Sequence, residues 1–241
     1  MGKISAIDIK KLWYADEIET ALTPSGLKAL IEGPVYAEST SGTSGALKVV
    51  ADASTPQAGE IKLGSVTPCV AGYTPQVNDY VINVGPLAKE VENIHQDTWQ
   101  IEEGEASQDS YRNQLNGHVY RLGRRQMGDL TINFTVGQYD YKTKMDLMGG
   151  DMLDASGAVT TTAAEAVGWA RDNEAVEMYK TIIALTVDNV FVVLSRASLG
   201  AREASTDGAI GLGMSGTMTD PRFNGVSSEY WYDYNAVYPV A

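Results

Sequence analysis

The strongest constraint on the fold is a run of strictly alternating residues in the middle of the chain, at positions 129–137. Apolar residues occupy every second position from Leu130 to Val136, Thr or Asn fills the positions between them, and Gly137 follows. Successive side chains of a β-strand point to opposite faces, so the alternation predicts a strand with one buried face.

Turn-forming residues divide much of the remaining chain into further short β segments. Met178–Val187 and Val190–Ser198 read as a hairpin around Asp188-Asn189. Further strands are predicted over 46–50, 60–66, 79–84, 98–105 and 209–219, and an extended aromatic segment over 230–240. This pattern predicts a mainly β fold, a β-sandwich or barrel.

Two short helices are predicted beside the strands. Thr23 as N-cap and Pro24 at the first helical position start one, which Gly33-Pro34 ends. Gln138–Met148 has apolar residues at helical spacing and stops at Gly149-Gly150. We predict an extended N-terminal arm carrying the first helix (1–33), then a single β domain (34–241) with a Ser/Thr/Gly-rich mobile loop near 37–60.

Composition restricts the function more than the fold. Eighteen basic against 31 acidic residues give a formal charge of −13, which disfavours tight binding to a nucleic-acid backbone. No apolar run is long enough to cross a membrane, and the first twenty residues lack the apolar core of a signal peptide. We therefore expect a cytoplasmic product without membrane contact. Cys69 is alone, which excludes an intrachain disulfide.

Motifs for catalysis or cofactor binding are weak. His95 and His118 lack metal-ligand spacing, so we interpret them as surface or interface histidines. Residues 211–216 match G-x-G-x-x-G, but a β-prone segment and Pro221 follow instead of a helix, which favours a glycine-rich strand over a nucleotide loop. We predict no cofactor, no metal and no enzymatic activity.

Charges are unevenly distributed between residues 97 and 128. An acidic run without Lys or Arg is followed by a basic run without Asp or Glu. The acidic run includes Glu102, Glu103, Glu105 and Asp109, and the basic run contains Arg112, Arg121, Arg124 and Arg125. Two readings are equally favoured: unrelated solvated strands, or complementary faces through which copies associate head to tail. Tyr230, Trp231 and Tyr232 are further candidates for an interface between subunits.

Blocks of residues in 95–150 follow one another as strand, turn, strand and short helix. They are Trp99-Gln100-Ile101-Glu102-Glu103-Gly104-Glu105, Asn116-Gly117-His118-Val119-Tyr120-Arg121, Thr131-Ile132-Asn133-Phe134-Thr135-Val136-Gly137-Gln138-Tyr139-Asp140-Tyr141 and Leu147-Met148-Gly149-Gly150. Together they resemble the tail tube (major tail) proteins of tailed bacteriophages.

The resemblance implies a structural subunit of a virion tail that is assembled in the bacterial host cytoplasm. Six copies would join their sheets into a ring, and rings would stack through loops and terminal arms into a tube. Further partners would be tape-measure, tail terminator and baseplate or tail-tip proteins. DNA would pass through the lumen without specific binding. The acidic run would then face DNA or the junction between rings, because acidic walls do not retain DNA.

Alternative functions stay open at this point. Inner tube proteins of contractile injection systems share the implied architecture. A β-sandwich binding or adhesion module could use the C-terminal aromatics as a carbohydrate platform, although the missing signal peptide disfavours it. An enzyme using the carboxylate cluster is disfavoured because no acid/base pair has supporting context.

Overall fold

The computed structural model describes residues 8–33, 35–41, 43–66, 74–174, 176–206 and 208–239. The chain is mainly β, with 44% strand and 11% helix, which confirms the predicted fold class of a β barrel or sandwich with short helices. Cys69 lies outside the described residues. No helix in the described ranges is both long enough and apolar enough to cross a membrane.

Short strands dominate the order of elements. In chain order the strands are Ile9–Ala15 (β1), Val35–Glu38 (β2), Leu47–Val50 (β3), Glu60–Lys62 (β4), Tyr80–Gly85 (β5), Lys89–Glu90 (β6), Asn93–Ile94 (β7), Gln100–Glu103 (β8), Ser110–Arg112 (β9), Val119–Leu122 (β10), Leu130–Gln138 (β11), Asp151–Leu153 (β12), Val159–Thr160 (β13), Gly168–Ala170 (β14), Met178–Thr186 (β15), Val190–Thr206 (β16), Ala209–Met218 (β17) and Glu229–Asp233 (β18). The helices are Pro24–Glu32 (α1), Tyr141–Met148 (α2) and Tyr234–Val237 (α3), and Leu63–Ser65 forms a 3₁₀ turn.

Two compact units share the chain. The first is built from the segments up to Asn93, Met178–Ala197 and the part from Thr219 onward, and the second from Ile94–Glu177 and Ser198–Met218. The predicted boundary at residue 34 does not coincide with this division, because residues before and after it belong to the first unit.

The first unit is organised around the hairpin of β15 and β16. Its strands lie in the order β6-β1-β15-β16, and β18 pairs with the beginning of β16. Asn189 takes a left-handed conformation (φ 61°) in the connecting turn, as the Asp-Asn turn predicts. Ile183, Phe191 and Val193 are almost completely buried and pack with Leu27 of α1. The sequence-predicted hairpin is therefore the centre of this unit.

Residues 9–15 of the predicted N-terminal arm form a strand of the sheet. β1 pairs antiparallel with β15, and its last four residues, Leu12 to Ala15, are all buried. The sequence did not predict this strand, because Lys10 and Lys11 are consecutive polar residues and a bulge between Ile9 and Lys11 breaks the alternation. The predicted helix is confirmed: Thr23 caps α1 through its Oγ1, which accepts from the Gly26 N–H at 3.1 Å.

The Ser/Thr/Gly-rich segment contains strands of a second, smaller sheet in the first unit. Its order is β2-β5-β3-β4, and β3 and β4 run parallel. Val49 and Val81 are fully buried in its own small core, together with Tyr36. The segment near 37–60, predicted as a mobile loop, thus contains β3 at Leu47–Val50 and the ends of β2 and β4.

The second unit contains the alternating strand. β11 pairs with β17 on one side and with β8 on the other. Ile132, Phe134 and Val136 are buried, while Asn133 between them is exposed, as the alternation predicts. Asp140 caps α2 by accepting from the Thr143 N–H, and Gly149 ends the helix at φ 79°. A small sheet in the order β13-β12-β14 follows.

The C-terminal segment is extended only at first. β18 covers Glu229–Asp233, and the chain then turns into α3. Phe191 packs against both Tyr234 and Tyr238, at 5.9 and 6.1 Å between ring centroids. The prediction of an extended segment over 230–240 is thus wrong beyond Asp233, because these tyrosines meet Phe191 through a helical turn.

Candidate assembly surface

Residues 100–133 form one long antiparallel hairpin in the second unit. β8 pairs with the start of β11, and the two chains continue side by side as a narrow ribbon beyond the sheet. The Gly104 N–H donates to the Asp129 carbonyl at 2.9 Å, and Ser107 pairs with Gln126. β9 and β10 then pair near the tip. We call residues 104–128 the free ribbon.

Two glycines face each other where the free ribbon begins. A Cβ placed on Gly128 would lie 1.8 Å from the backbone oxygen of Gly104, so no other residue fits at 128 without moving the backbone. The close approach brings the two chains together as they leave the sheet. The close pairing of the two chains at the start of the free ribbon therefore requires glycine at position 128.

The tip of the free ribbon is held by its own hydrogen bonds. Asn113 Oδ1 accepts from the Leu115 N–H, and Asn116 Oδ1 accepts from the His118 N–H. Gly117 adopts φ 71°, and its N–H donates to the Asn113 carbonyl. The turn at the tip is therefore formed by hydrogen bonds among residues 113–118 alone.

Nothing within the described chain covers the free ribbon. None of its residues is buried, and it exposes several large apolar side chains, Leu115 at 95%, Met127 at 81% and Tyr120 at 69%. Tyr111, Val119 and Leu122 are exposed as well. A two-stranded ribbon without further packing is marginally stable in water. Apolar residues gathered on such a ribbon are typical of a surface that another protein covers.

The two predicted charge runs divide mostly between the two chains of this hairpin. The acidic run, Glu102, Glu103, Glu105 and Asp109, is on the outgoing chain, which ends near the tip with Arg112, and the other arginines of the basic run, Arg121, Arg124 and Arg125, are on the returning chain. All eight side chains are exposed, and none of them makes an ion pair with a described residue.

Two of the arginines are held by neighbours on the hairpin itself. The Arg121 guanidinium lies 5.4 Å from the centre of the Tyr111 ring, and Arg112 donates to the Gly117 carbonyl. Arg124 and Arg125 make no side-chain contact of these kinds with the described residues. The ribbon therefore presents an acidic and a basic chain side by side, rather than two separate faces.

Of the three C-terminal aromatic residues predicted at an interface, two pack against the core of the first unit and one is exposed. Tyr230 and Tyr232 pack against the core of the first unit, and the Tyr232 hydroxyl donates to the Leu22 carbonyl at 2.6 Å. Burial raises the pKa of Tyr232, with Tyr230 as a smaller cause. Trp231 points the other way, is 45% exposed, and donates through its indole N–H to Glu229. Of the three, Trp231 thus presents the largest surface to a partner.

The weak motifs are accounted for by the strands. The glycines of 211–216 lie within β17, where Gly216 faces Leu199 and Ile132 in the core of the second unit. The segment is therefore a glycine-rich strand, as predicted, and not the turn before a helix. Among the described residues, no group of three His, Cys, Asp or Glu could hold a metal ion.

The exposed apolar residues of the ribbon were missed in the sequence. Tyr111, Leu115, Val119, Tyr120, Leu122 and Met127 do not alternate strictly with polar residues, so they did not indicate a half-buried strand. The available signal was their position: these apolar residues lie inside the segment 110–128, which carries the basic run and has no acidic residue. The chain matches no family model and no curated protein.

Proposed function

We propose that this chain is a non-enzymatic structural subunit that assembles with copies of itself into stacked rings. The resulting tube would resemble a bacteriophage tail tube and conduct DNA. The inner tube of a contractile injection system is the related alternative. The observation that carries the proposal is the free ribbon, which exposes apolar and charged side chains and is not covered by any described residue of the single subunit.

Several features of the chain support a second copy as the covering partner. Among the described residues, the carboxylates of the hairpin and Arg124 and Arg125 make no ion pair, so the acidic chain of one copy can meet a basic patch of the next. A contact between different patches on identical subunits repeats from copy to copy and generates rings or filaments. Apolar residues at the tip add burial that a single subunit does not provide.

A shortened hairpin tests the proposal. Residues 106–127 are replaced by Asn-Gly, a two-residue turn compatible with the strand twist. Since the free ribbon contributes no buried side chain, we expect the variant to fold, with circular dichroism and a melting temperature close to those of the full chain. Sedimentation velocity should show large assemblies for the full chain and a monomer for the variant.

The matched control retains the hairpin and changes only a residue elsewhere. Lys62→Glu in β4 alters one charge of the first unit and should leave assembly intact. If the shortened variant assembles at the same concentration as the full chain, the ribbon is not the assembly surface and the proposal loses the observation that carries it.

A further inference from the structure

A polar groove lies on the outer face of the sheet in the second unit. It has a volume of about 500 Å³ and crosses β16, β17 and β11. The hydrogen-bonding side chains along it come from Thr98, Asn133, Thr135 and Ser215, and Arg202 provides its positive charge. Asn133 stands opposite Ser215 in the strand register, so these polar groups share one face.

Arg202 belongs to β16, and its side chain lies over the neighbouring strand β17. The position of a Cβ on Gly213 would be 3.6 Å from Arg202 Cγ and 3.7 Å from its Nε, so the arginine side chain passes over this glycine. Thr135 is the register partner of Gly213 on the next strand. The guanidinium forms no ion pair or hydrogen bond with a described residue. A positive charge without a partner therefore sits among hydroxyl and amide groups.

This set of groups suits a carboxylate. The planar guanidinium donates two parallel hydrogen bonds to the two oxygens of a carboxylate. The Asn133 amide and the Thr135 hydroxyl beside it can donate to the remaining lone pairs, whereas the Thr98 and Ser215 hydroxyls already donate to backbone carbonyls. The lining residues come from the adjacent strands β11, β17 and β16, together with Thr98, so a ligand in the groove would lie across these strands on the outer face.

We infer that this groove receives the acidic chain of the free ribbon from a second copy, with Glu105 or Asp109 bound to Arg202. Both carboxylates are exposed and unpaired among the described residues, and both lie beyond the glycine pair at the start of the ribbon. The inference rests on the proposed self-assembly and identifies the surface against which the ribbon docks.

Charge reversal on one side of the contact tests it. Arg202→Glu should raise the protein concentration needed for assembly at least tenfold, since attraction becomes repulsion. Arg202→Gln, which removes only the charge, should have a smaller effect in the same direction. Lys62→Glu makes the same change of charge away from the groove and should leave this concentration within a factor of about two. Circular dichroism verifies the fold of each variant.

A complementary pair separates direct contact from indirect damage. A second variant carries Glu105→Lys with Asp109→Lys and should also fail to assemble alone. Mixed with Arg202→Glu, it should co-assemble, because each variant supplies the charge that the other requires. Assembly of Arg202→Glu at the wild-type concentration would overturn the inference, and so would folded variants that fail to co-assemble. If Arg202→Glu assembles while the shortened hairpin does not, the proposed function stands and only the docking groove is wrong.

Discussion

At the scale of single residues, Gly216 shows why a nucleotide-like glycine pattern belongs to a strand. A Cβ at this position would lie 2.8 Å from Leu199 Cδ2 and 2.9 Å from Ile132 Cγ1. We predict that Gly216→Val lowers the free energy of unfolding by about 1–3 kcal/mol, because added methyl groups overpack the core. Urea denaturation followed by circular dichroism measures the change.

Gly213 provides the control for this prediction. It lies on the same strand but on the outer face, and a Cβ there would be 3.2 Å from the Ala204 Cβ, a neighbour at the surface. Gly213→Ala should therefore cost less than about 1 kcal/mol. A Gly216→Val variant as stable as the wild type would contradict the placement of Gly216 on the core face.

At the scale of elements, local patterns predicted those strands and helices whose signal is contained within a few residues of sequence. The alternation around Phe134, the Asp-Asn turn before Val190 and the Thr23-Pro24 cap are each visible within a few residues. β1 escaped because its partner β15 is more than a hundred residues away, and a bulge at Lys10 and Lys11 obscures its buried face. Strand pairing of this kind is a tertiary property, which local patterns do not determine.

At this scale, the prediction concerns two arginines on the returning chain of the free ribbon. Arg124→Glu with Arg125→Glu should weaken assembly by at least tenfold in concentration without changing the fold, since both arginines are exposed and make no ion pair with the described residues. Replacing the same pair with Gln should give an intermediate effect, and the wild-type assembly should weaken as salt is raised. Light scattering against protein concentration measures these differences.

An unchanged assembly curve for the double Glu variant would remove the basic run from the interface. It would leave the acidic chain, the apolar tip and the groove around Arg202 to be tested separately, since those contacts do not require Arg124 or Arg125.

At the scale of the whole molecule, the sequence predicted only part of the candidate assembly surface. The two charge runs were recognised, but whether they were unrelated strands or complementary faces depended on pairing that brings residues 100–112 beside 119–133. The division of the chain into two interleaved units was not visible either, because each unit combines segments that are distant in sequence. No sequence pattern predicted the role of Arg202, which makes no ion pair with a described residue, because the groove around it is formed by three separate strands.

The role of the C-terminal aromatic residues also depended on strand pairing that the sequence does not reveal. Its composition is typical of an interface, yet Tyr230 and Tyr232 are used inside the first unit. Only the three-dimensional pairing of β18 with β16 decides which of these side chains point inward. A tyrosine-rich segment therefore indicates burial, but not whether its own chain or a partner supplies the covering surface.

Negative-stain electron microscopy of the purified full chain over a range of concentrations tests the central claim most directly. Self-assembly through the free ribbon predicts rings or tubes with a central hole, increasing in number and length with concentration. A particle that remains a monomer at every concentration, with an intact fold and across low and moderate salt, would contradict the account.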